Sequence, residues 1–473
     1  MAEHPFDVVF DLAITGDVCF GDHLIRGGTL LVNGERIAGV IDSGNQHMGS
    51  SHSEKTGNRA EKIEAKQFIN AKDKLVLPGV IDSHVHSLSF PGEGFFNSTR
   101  SAAAGGVTTL IDMPVDAPRG IADPETLNKK ISLIERESVA DVALLGSVKN
   151  ETIEQIPCLA EGGVCGFKLS LFDTDPDRFP RVHDGQMLEA FSAIAATGLR
   201  AGVHAENDEI IKYLIAKCIR EGKTYPRAHC ETRPVVSETE SVLKALEFAW
   251  ATGVRLHLYH VSHTRSLQLA QLYRGQGTAV TSETCPHYLL FSEEDMDRLG
   301  ARIRINPPVR KRPEADLLWH MVAAGAIDCV SSDHAPWPPD RKSKPVIFDN
   351  ASGCPGVETL LPLLFSEGVA KGRISVPILT KVLSGNPARI FGLFPKKGIL
   401  LPGSDADIVI LDPASTWTMK ADELHAAAGW TPYEGMEMTG KIETTIIRGK
   451  IVFDRGDIKA EKGYGSFVRP ISG

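Results

Sequence analysis

The chain has 473 residues and a mass of 51.2 kDa, more than one ordinary domain needs, although an α/β barrel commonly fills about 250 residues as a single unit. Hydrophobic residues make up 42% and charged residues 23%, the composition of a globular chain with ample core. Lys and Arg total 51 against 60 Asp and Glu, so the net charge is −9; with no basic stripe, nucleic acid is not an expected partner.

The opening MAEHPFDVVFDLAITGD lacks a basic start followed by an apolar run, so no secretory signal is read there. No stretch approaches the roughly 18 apolar residues of a membrane helix. The eight cysteines, Cys19, Cys158, Cys165, Cys218, Cys230, Cys285, Cys329 and Cys354, form no CxxC pair. They read as reduced thiols of a cytoplasmic protein.

In chain order, FDLAITGDVCF, GTLLVNGERIAGVID and KLVLPG alternate apolar and polar residues between glycine turns and predict strands. The stretch 43–62 is polar and almost free of apolar anchors, which predicts a surface loop. From about Pro78 to Pro395 short β-branched segments alternate with helical ones such as SVLKALEFAWATG and SLQLAQLYRGQG. Eight strands are predicted: GVIDSHVH, GVTTLIDM, DVALLGSV, GFKLSLF, RAGVHAEN, RLHLYHVS, TAVTSETC and DCVSSDHA. That alternation suits a (β/α)8 barrel better than a doubly wound open sheet, because no GxGxxG or P-loop lysine motif follows any strand. SDADIVILD, TTIIRGKIVFD and GDIKAEKGYG then return to the strand-and-turn style of the start. The expected organisation is an α/β chain with three parts. Residues 1–77 and 395–473 form one discontinuous β-sandwich domain around a TIM-type barrel at 78–394.

Polar residues sit at the predicted C-terminal strand ends, where barrel active sites form. His84 and His86 are two apart, so both imidazoles face one side of the first strand. Lys168 interrupts the apolar GFKLSLF; His204, His260 and Asp333 end later strands. Singly, each has a plainer reading. A strand-end histidine is commonly a hydrogen-bonded structural residue, a buried lysine commonly pairs with a carboxylate, and Asp333-His334 is also a helix-cap sequence. Their convergence on one rim is what points to metal.

LPGVIDSHVH, GFKLS, VHAEN, LYHVSH and SSDHAP resemble the metal-site motifs of the amidohydrolase superfamily, and NPARIFGL and KGILLPGSDADIVILD extend the likeness over nearly the whole chain. Together with RSAAAGGVTTLIDMP, the pattern is most similar to the cyclic amidase branch, the allantoinases and hydantoinases. The resemblance implies two divalent metal ions, with zinc the best suited and Mn²⁺, Co²⁺ or Fe²⁺ as substitutes. His84, His86 and Asp333 would hold one ion, His204 and His260 the other, and Lys168, as N6-carboxylysine, would bridge both. It also implies attack by metal-bound hydroxide on a cyclic amide, with Asp333 as the catalytic proton carrier.

Substrate choice is less legible. No arginine follows His86, which counts against the acidic pyrimidine of dihydroorotases, and Asp173 stands where dihydropyrimidinases place a tyrosine. Allantoin or a 5-substituted hydantoin is the expected substrate, with a dihydropyrimidine or cyclic imide as the alternative. A superfamily deaminase would not need Lys168, and a non-catalytic paralogue would not keep all six ligands. Phe172, Asn306, Gly353 and Cys354 are the expected substrate-binding residues. Asn306 is read either as a partner of the ring amide or as a cap on its Pro-Pro turn. Phe90, Phe95 and Phe96 are read either as pocket wall or as ordinary packing. By the same resemblance the chain would assemble as a homodimer or homotetramer.

Overall fold

Strands at both ends of the chain pair with one another, each burying part of its length. The N-terminal end supplies β1 (Phe10–Phe20), β2 (His23–Asn33), β3 (Arg36–Ile41) and β4 (Ala65–Pro78). The middle supplies β5 (Val80–Val85), β6 (Val107–Asp112), β7 (Asp141–Leu144), β8 (Gly146–Ser147), β9 (Phe167–Ser170), β10 (Arg200–His204), β11 (Arg255–Leu258), β12 (Val280–Thr284) and β13 (Cys329–Val330). The C-terminal end returns with β14 (Ile408–Thr418), β15 (Glu437–Ile447), β16 (Lys450–Asp454) and β17 (Asp457–Ile458). The structure, a computed structural model, describes residues 9–21, 23–42, 63–90, 92–117 and 119–471. The polar stretch 43–62 lies outside them.

Both ends join in one eight-stranded sheet, β17-β16-β15-β14-β4-β1-β2-β3. Its seam is the antiparallel pairing of β14 with the end of β4, where Ile408 faces Pro78. Backbone bonds from Ile37 to Ser404 (2.9 Å) and from Ala406 to Glu35 (2.8 Å) draw the β2–β3 turn to the residues leading into β14. The sheet therefore curls into a sandwich around Leu12, Ile14, Leu30, Val76, Ile408 and Ile446.

Gly79 leads from this sheet into the barrel. A Cβ there would come within 2.2 Å of Thr108 Oγ1, so the close strand crossing requires glycine. Strands β5 to β13 pair in parallel, with β7 and β8 forming one strand interrupted at Leu145. Val85 bridges His334 just beyond β13, and His86 N–H donates to His334 C=O at 2.9 Å, which closes a ring of eight strands. All eight predicted strands are present. The segments SVLKALEFAWATG and SLQLAQLYRGQG lie in helices Val235–Thr252 and Thr264–Gly275.

The last segment departs from the expected strand. Only Asp457–Ile458 pairs as β17, and the chain then leaves the sandwich for the barrel wall. Ser138 C=O accepts from both Gly463 and Gly465, Val142 N–H donates to Ser466 C=O at 2.9 Å, and Val468 N–H donates to Val142 C=O at 2.8 Å. Strand β9 pairs with β8 and β10 but not with β7, so Val142 would otherwise leave its backbone groups unmet in a buried wall. A buried ionic knot adds to this join. Lys397 Nζ lies 2.6 Å from Asp141 at the start of β7, and 2.9 and 2.8 Å from Asp405 and Asp407 on the approach to β14.

Candidate metal centre

The six predicted ligands meet at one end of the barrel. His84 lies on β5 and His86 one residue past it, Lys168 on β9 and His204 at the end of β10. His260 and Asp333 follow β11 and β13 in left-handed backbone, with φ of 38° and 47°. Non-glycine residues held there cost about 1–3 kcal/mol each and concentrate at working sites. Asp333 Oδ1 is 3.2 Å from His84 Nε2 and 3.4 Å from His86 Nε2. Lys168 Nζ is 2.7 Å from His84 Nε2, and His204 Nδ1 is 2.8 Å from His260 Nε2.

A second layer fixes which ring nitrogen faces the centre. His84 Nδ1 pairs with Glu283 at 2.7 Å, leaving Nε2 toward Lys168 and Asp333. His204 Nε2 pairs with Glu206 at 2.9 Å, leaving Nδ1 inward, and Arg233 holds the same Glu206 oxygen at 2.6 Å. Ser89 Oγ lies 3.2 Å from His86 Nδ1. Carboxylates behind imidazoles are the usual way a protein orients metal-binding histidines. Tyr259 packs beneath, its ring edge-on to His84 and 4.1 Å from Lys168 Nζ. Gly202 makes room for it, since a Cβ there would lie 2.0 Å from the ring.

The electrostatics suit cations. Burial holds His84 and His260 below the ordinary imidazole range and brings His86 down to about 3, so their nitrogens keep free lone pairs. Burial alone would raise Asp333, but His84 and His86 hold its carboxyl well below the usual range. Burial also brings the Lys168 amine down to about 8, which leaves an appreciable neutral fraction near neutral pH. Neutral nitrogens of His84 and His86 lie together with the Asp333 carboxylate, all within 4.8 Å of one another, and His260 Nδ1 is buried without a partner. This donor set fits divalent metal ions. An unmodified ammonium at Lys168 would oppose them; a carbamate there would supply oxygens instead.

The centre opens into a cleft of about 370 Å³. Phe172, Asn306 and Gly353 line it. Cys354 does not: its side chain is buried behind the wall, and its C=O accepts from Ala335 N–H at 2.9 Å. Phe95 is buried and Phe96 half-buried on helix Gly94–Ala104; neither lines the cleft, so both are packing residues. Sequence reading missed Glu206, Glu283, Arg233 and Arg304. Two of these carried a signal: Glu206 stands two residues after His204, and Glu283 is a charge inside a buried strand.

The comparisons agree with this geometry. Residues 75–452 match the model of the amidohydrolase family. An allantoinase from Rubrobacter xylanophilus is 36% identical over 457 residues, covering 95% of this chain and 98% of its own. An L-hydantoinase from Paenarthrobacter aurescens is 34% identical over 412 residues, covering 86% and 90%. Among solved structures, the L-hydantoinase (dihydropyrimidinase) from Arthrobacter aurescens superposes with a TM-score of 0.91 at 31% identity, over 98% of this chain and all of that one. A D-hydantoinase (dihydropyrimidinase) from Thermus gives 0.87 at 27% identity, over 97% and 99%. With a closed barrel, a curled sheet made from both ends and a ligand ring at the strand ends, the chain belongs to the amidohydrolase family.

Proposed function

We propose that this protein is a two-metal hydrolase of cyclic amides, opening a cyclic ureide such as allantoin or a 5-substituted hydantoin to its acid. The observation that carries the reading is the pairing of His84 with Glu283 and of His204 with Glu206, which turns two imidazoles inward beside Lys168, His260 and Asp333. The relatives named allantoinase and hydantoinase, which align over nearly the whole chain, support the same reaction class. His84, His86 and Asp333 would hold one ion and His204 and His260 the other, with Lys168, as its carbamate, contributing to both. Zinc suits such a set best. Divalent ions bound there supply Lewis acidity to the amide carbonyl and make water acidic enough to attack near neutral pH.

The chain's own groups do the rest. Asp333 is a carboxylate at working pH and accepts the proton of the attacking water. It then returns that proton to the ring nitrogen as the C–N bond breaks, which amides require because the amine leaves poorly. The side chain of Asn306 and the backbone around Gly353 face the ring, and the Asn306 Oδ1, buried without a partner, is free to accept a ring N–H. Phe172, its ring centroid 6.4 Å from that of His204, forms an apolar wall. Self-association as a homodimer or homotetramer belongs to the same reading. It is supported by Tyr213, Val236, Leu243, Trp250 and Leu272, exposed on the helices after β10 and β11. Among the described residues no helix is long and apolar enough to cross a membrane, and all eight cysteines are free, which fits work in the cytoplasm.

The test is a substrate panel on metal-replete protein, following ring opening of allantoin, hydantoins, dihydrouracil, dihydroorotate and simple cyclic imides, with metal content measured on the same sample. Turnover of allantoin or a 5-substituted hydantoin with about two ions per chain is expected; turnover of dihydrouracil alone would move the assignment to the dihydropyrimidinases.

A further inference from the structure

The acids that line the cleft are already matched. Asp173 pairs with Lys212 at 2.6 Å, Asp175 with Arg178 at 2.8 Å, and Asp333 faces His84 and His86; Glu206, buried behind the wall, pairs with Arg233. Two buried cations beside them, outside the metal centre, are not. Arg304 lines the cleft at 8% exposure, and Lys342 is buried directly behind it. Arg304 donates through Nη1 to Ser352 Oγ and through Nη2 to Phe348 C=O at 3.4 Å, while its Nε is buried with no partner. Lys342 Nζ donates to the backbone C=O of Arg304, Ala351 and Gly353 at 3.2, 2.9 and 2.7 Å. Among the described residues neither side chain forms an ion pair; the acids that reach Arg304 electrostatically are Glu206, already shared by Arg233 and His204, and Asp349.

Burying a guanidinium without a counterion is costly, and the surroundings record the cost. Burial and the neighbouring Arg233 bring Arg304 down to about 9, and burial brings Lys342 down to about 7. His229, packed beside them, is held neutral by burial and by Arg304, Arg233 and Lys342. An anion in the cleft would relieve all of these at once. Arg304 and Asn306 both line the cleft, with Ile305 buried between them, so the guanidinium and the ring-facing amide border the same space.

We propose that Arg304, backed by Lys342, is an anion-recognising subsite of the cleft, and that the cyclic amide opened here carries a carboxylate on a short exocyclic arm. The proposal rests on the ring-opening reading and narrows its substrate class. It places the scissile amide at the metal centre and the carboxylate on Arg304, and a cleft of about 370 Å³ holds a five-membered ring with a two- or three-carbon acid arm.

The experiment measures binding and ring opening separately on metal-loaded protein. The probes are 5-(2-carboxyethyl)hydantoin and its primary amide, which match in shape and differ in charge. Calorimetry should show the acid binding at least about tenfold tighter than the amide, the scale of a charge-assisted bond. Arg304→Met should erase that ratio and Arg304→Lys should restore part of it, whereas an arginine that merely braced Ser352 and Phe348 would leave the ratio unmoved. Equal affinities in the unaltered protein, a preference for the amide, or binding of neither probe would overturn the subsite. Arg304-dependent binding of the acid without ring opening would uphold the subsite and overturn the proposed hydrolysis.

Discussion

Glu283 Oε1 lies 2.7 Å from His84 Nδ1, and its other oxygen accepts from Ser83 Oγ at 2.9 Å and faces His257 Nε2 at 3.3 Å. This carboxylate is fully buried on β12, two strands from His84 in the closed ring. Burial would raise it, but His257 and His84 hold it well below the usual carboxyl range. It sets the His84 tautomer without facing substrate. Glu283→Gln keeps the size and loses the charge. Metal retention against a chelator should fall by roughly 10–100-fold, with the circular dichroism unchanged. Retention equal to that of the unaltered protein would remove Glu283 from this role.

Lys168→Ala should remove the bridge between the ions and nearly all turnover. Acetate or propionate added at millimolar levels should restore part of it, because a free carboxylate fits the space the carbamate leaves. Loss of the carbamate carbon from the carbon-13 spectrum of protein prepared with labelled bicarbonate would confirm the modification. Full activity in the alanine variant would refute it.

His229 and His287 are buried imidazoles outside the ligand set. Burial, with Arg304 and Arg233, holds His229 well below 6.5, and burial brings His287 to about 4. In the unfolded chain both titrate near 6.5. Below that pH the unfolded state binds more protons than the folded one. The stability they confer is therefore complete above about pH 6.5 and is lost as pH falls toward 4, by on the order of 1 kcal/mol per pH unit for each. Urea midpoints measured at pH 8, 7, 6 and 5 should be level at first and then drop. A His287→Gln variant should show a shallower drop.

Lys397→Met tests the knot between sheet and barrel. Against burial, Asp141, Asp407 and Asp405 hold the Lys397 ammonium above its ordinary value. Removing it leaves three buried aspartates together, although Arg448 still reaches Asp141 and Lys396 still reaches Asp405. The loss should fall near the lower end of the roughly 3–5 kcal/mol typical of a broken buried pair. A denaturation curve unchanged by the substitution would show the knot to be neutral.

The barrel was legible because its strands are short, β-branched and fully buried, so GVIDSHVH and RAGVHAEN announce both a strand and its polar end. The ligands were legible for the same reason, being polar residues where apolar ones are expected. What stayed hidden depends on three-dimensional closure. Glu283 belongs behind His84 only once β12 and β5 share a ring. Cys354 belongs to the stretch from Ser352 to Gly356 that, by resemblance, offers backbone contacts to the ring; Ser352 and Gly353 do line the cleft, while the Cys354 side chain is buried behind it as a structural residue. Arg304 gave no signal, because an arginine ahead of a Pro-Pro turn reads as surface until the loop carrying Ser352 folds over it. The absence of an arginine after His86 counts against the acidic pyrimidine of dihydroorotases; Arg304 brings a cation to the cleft from another part of the chain.

The tail that pairs with Val142 sets a schedule. Asp141 meets its partner Ser466 across 325 residues, so a ribosome emits the first barrel strands long before the residues that seal them. The nascent wall at β7 must wait with open backbone groups, and the curled sheet waits as well, since β14 leaves the tunnel only after the whole barrel. Contacts this distant in sequence slow the search for the native state and prolong exposure of sticky intermediates. A stop codon a few residues upstream of Ser466 would spare every ligand and still leave the wall unsealed. Such a product should reach the proteases rather than the soluble fraction.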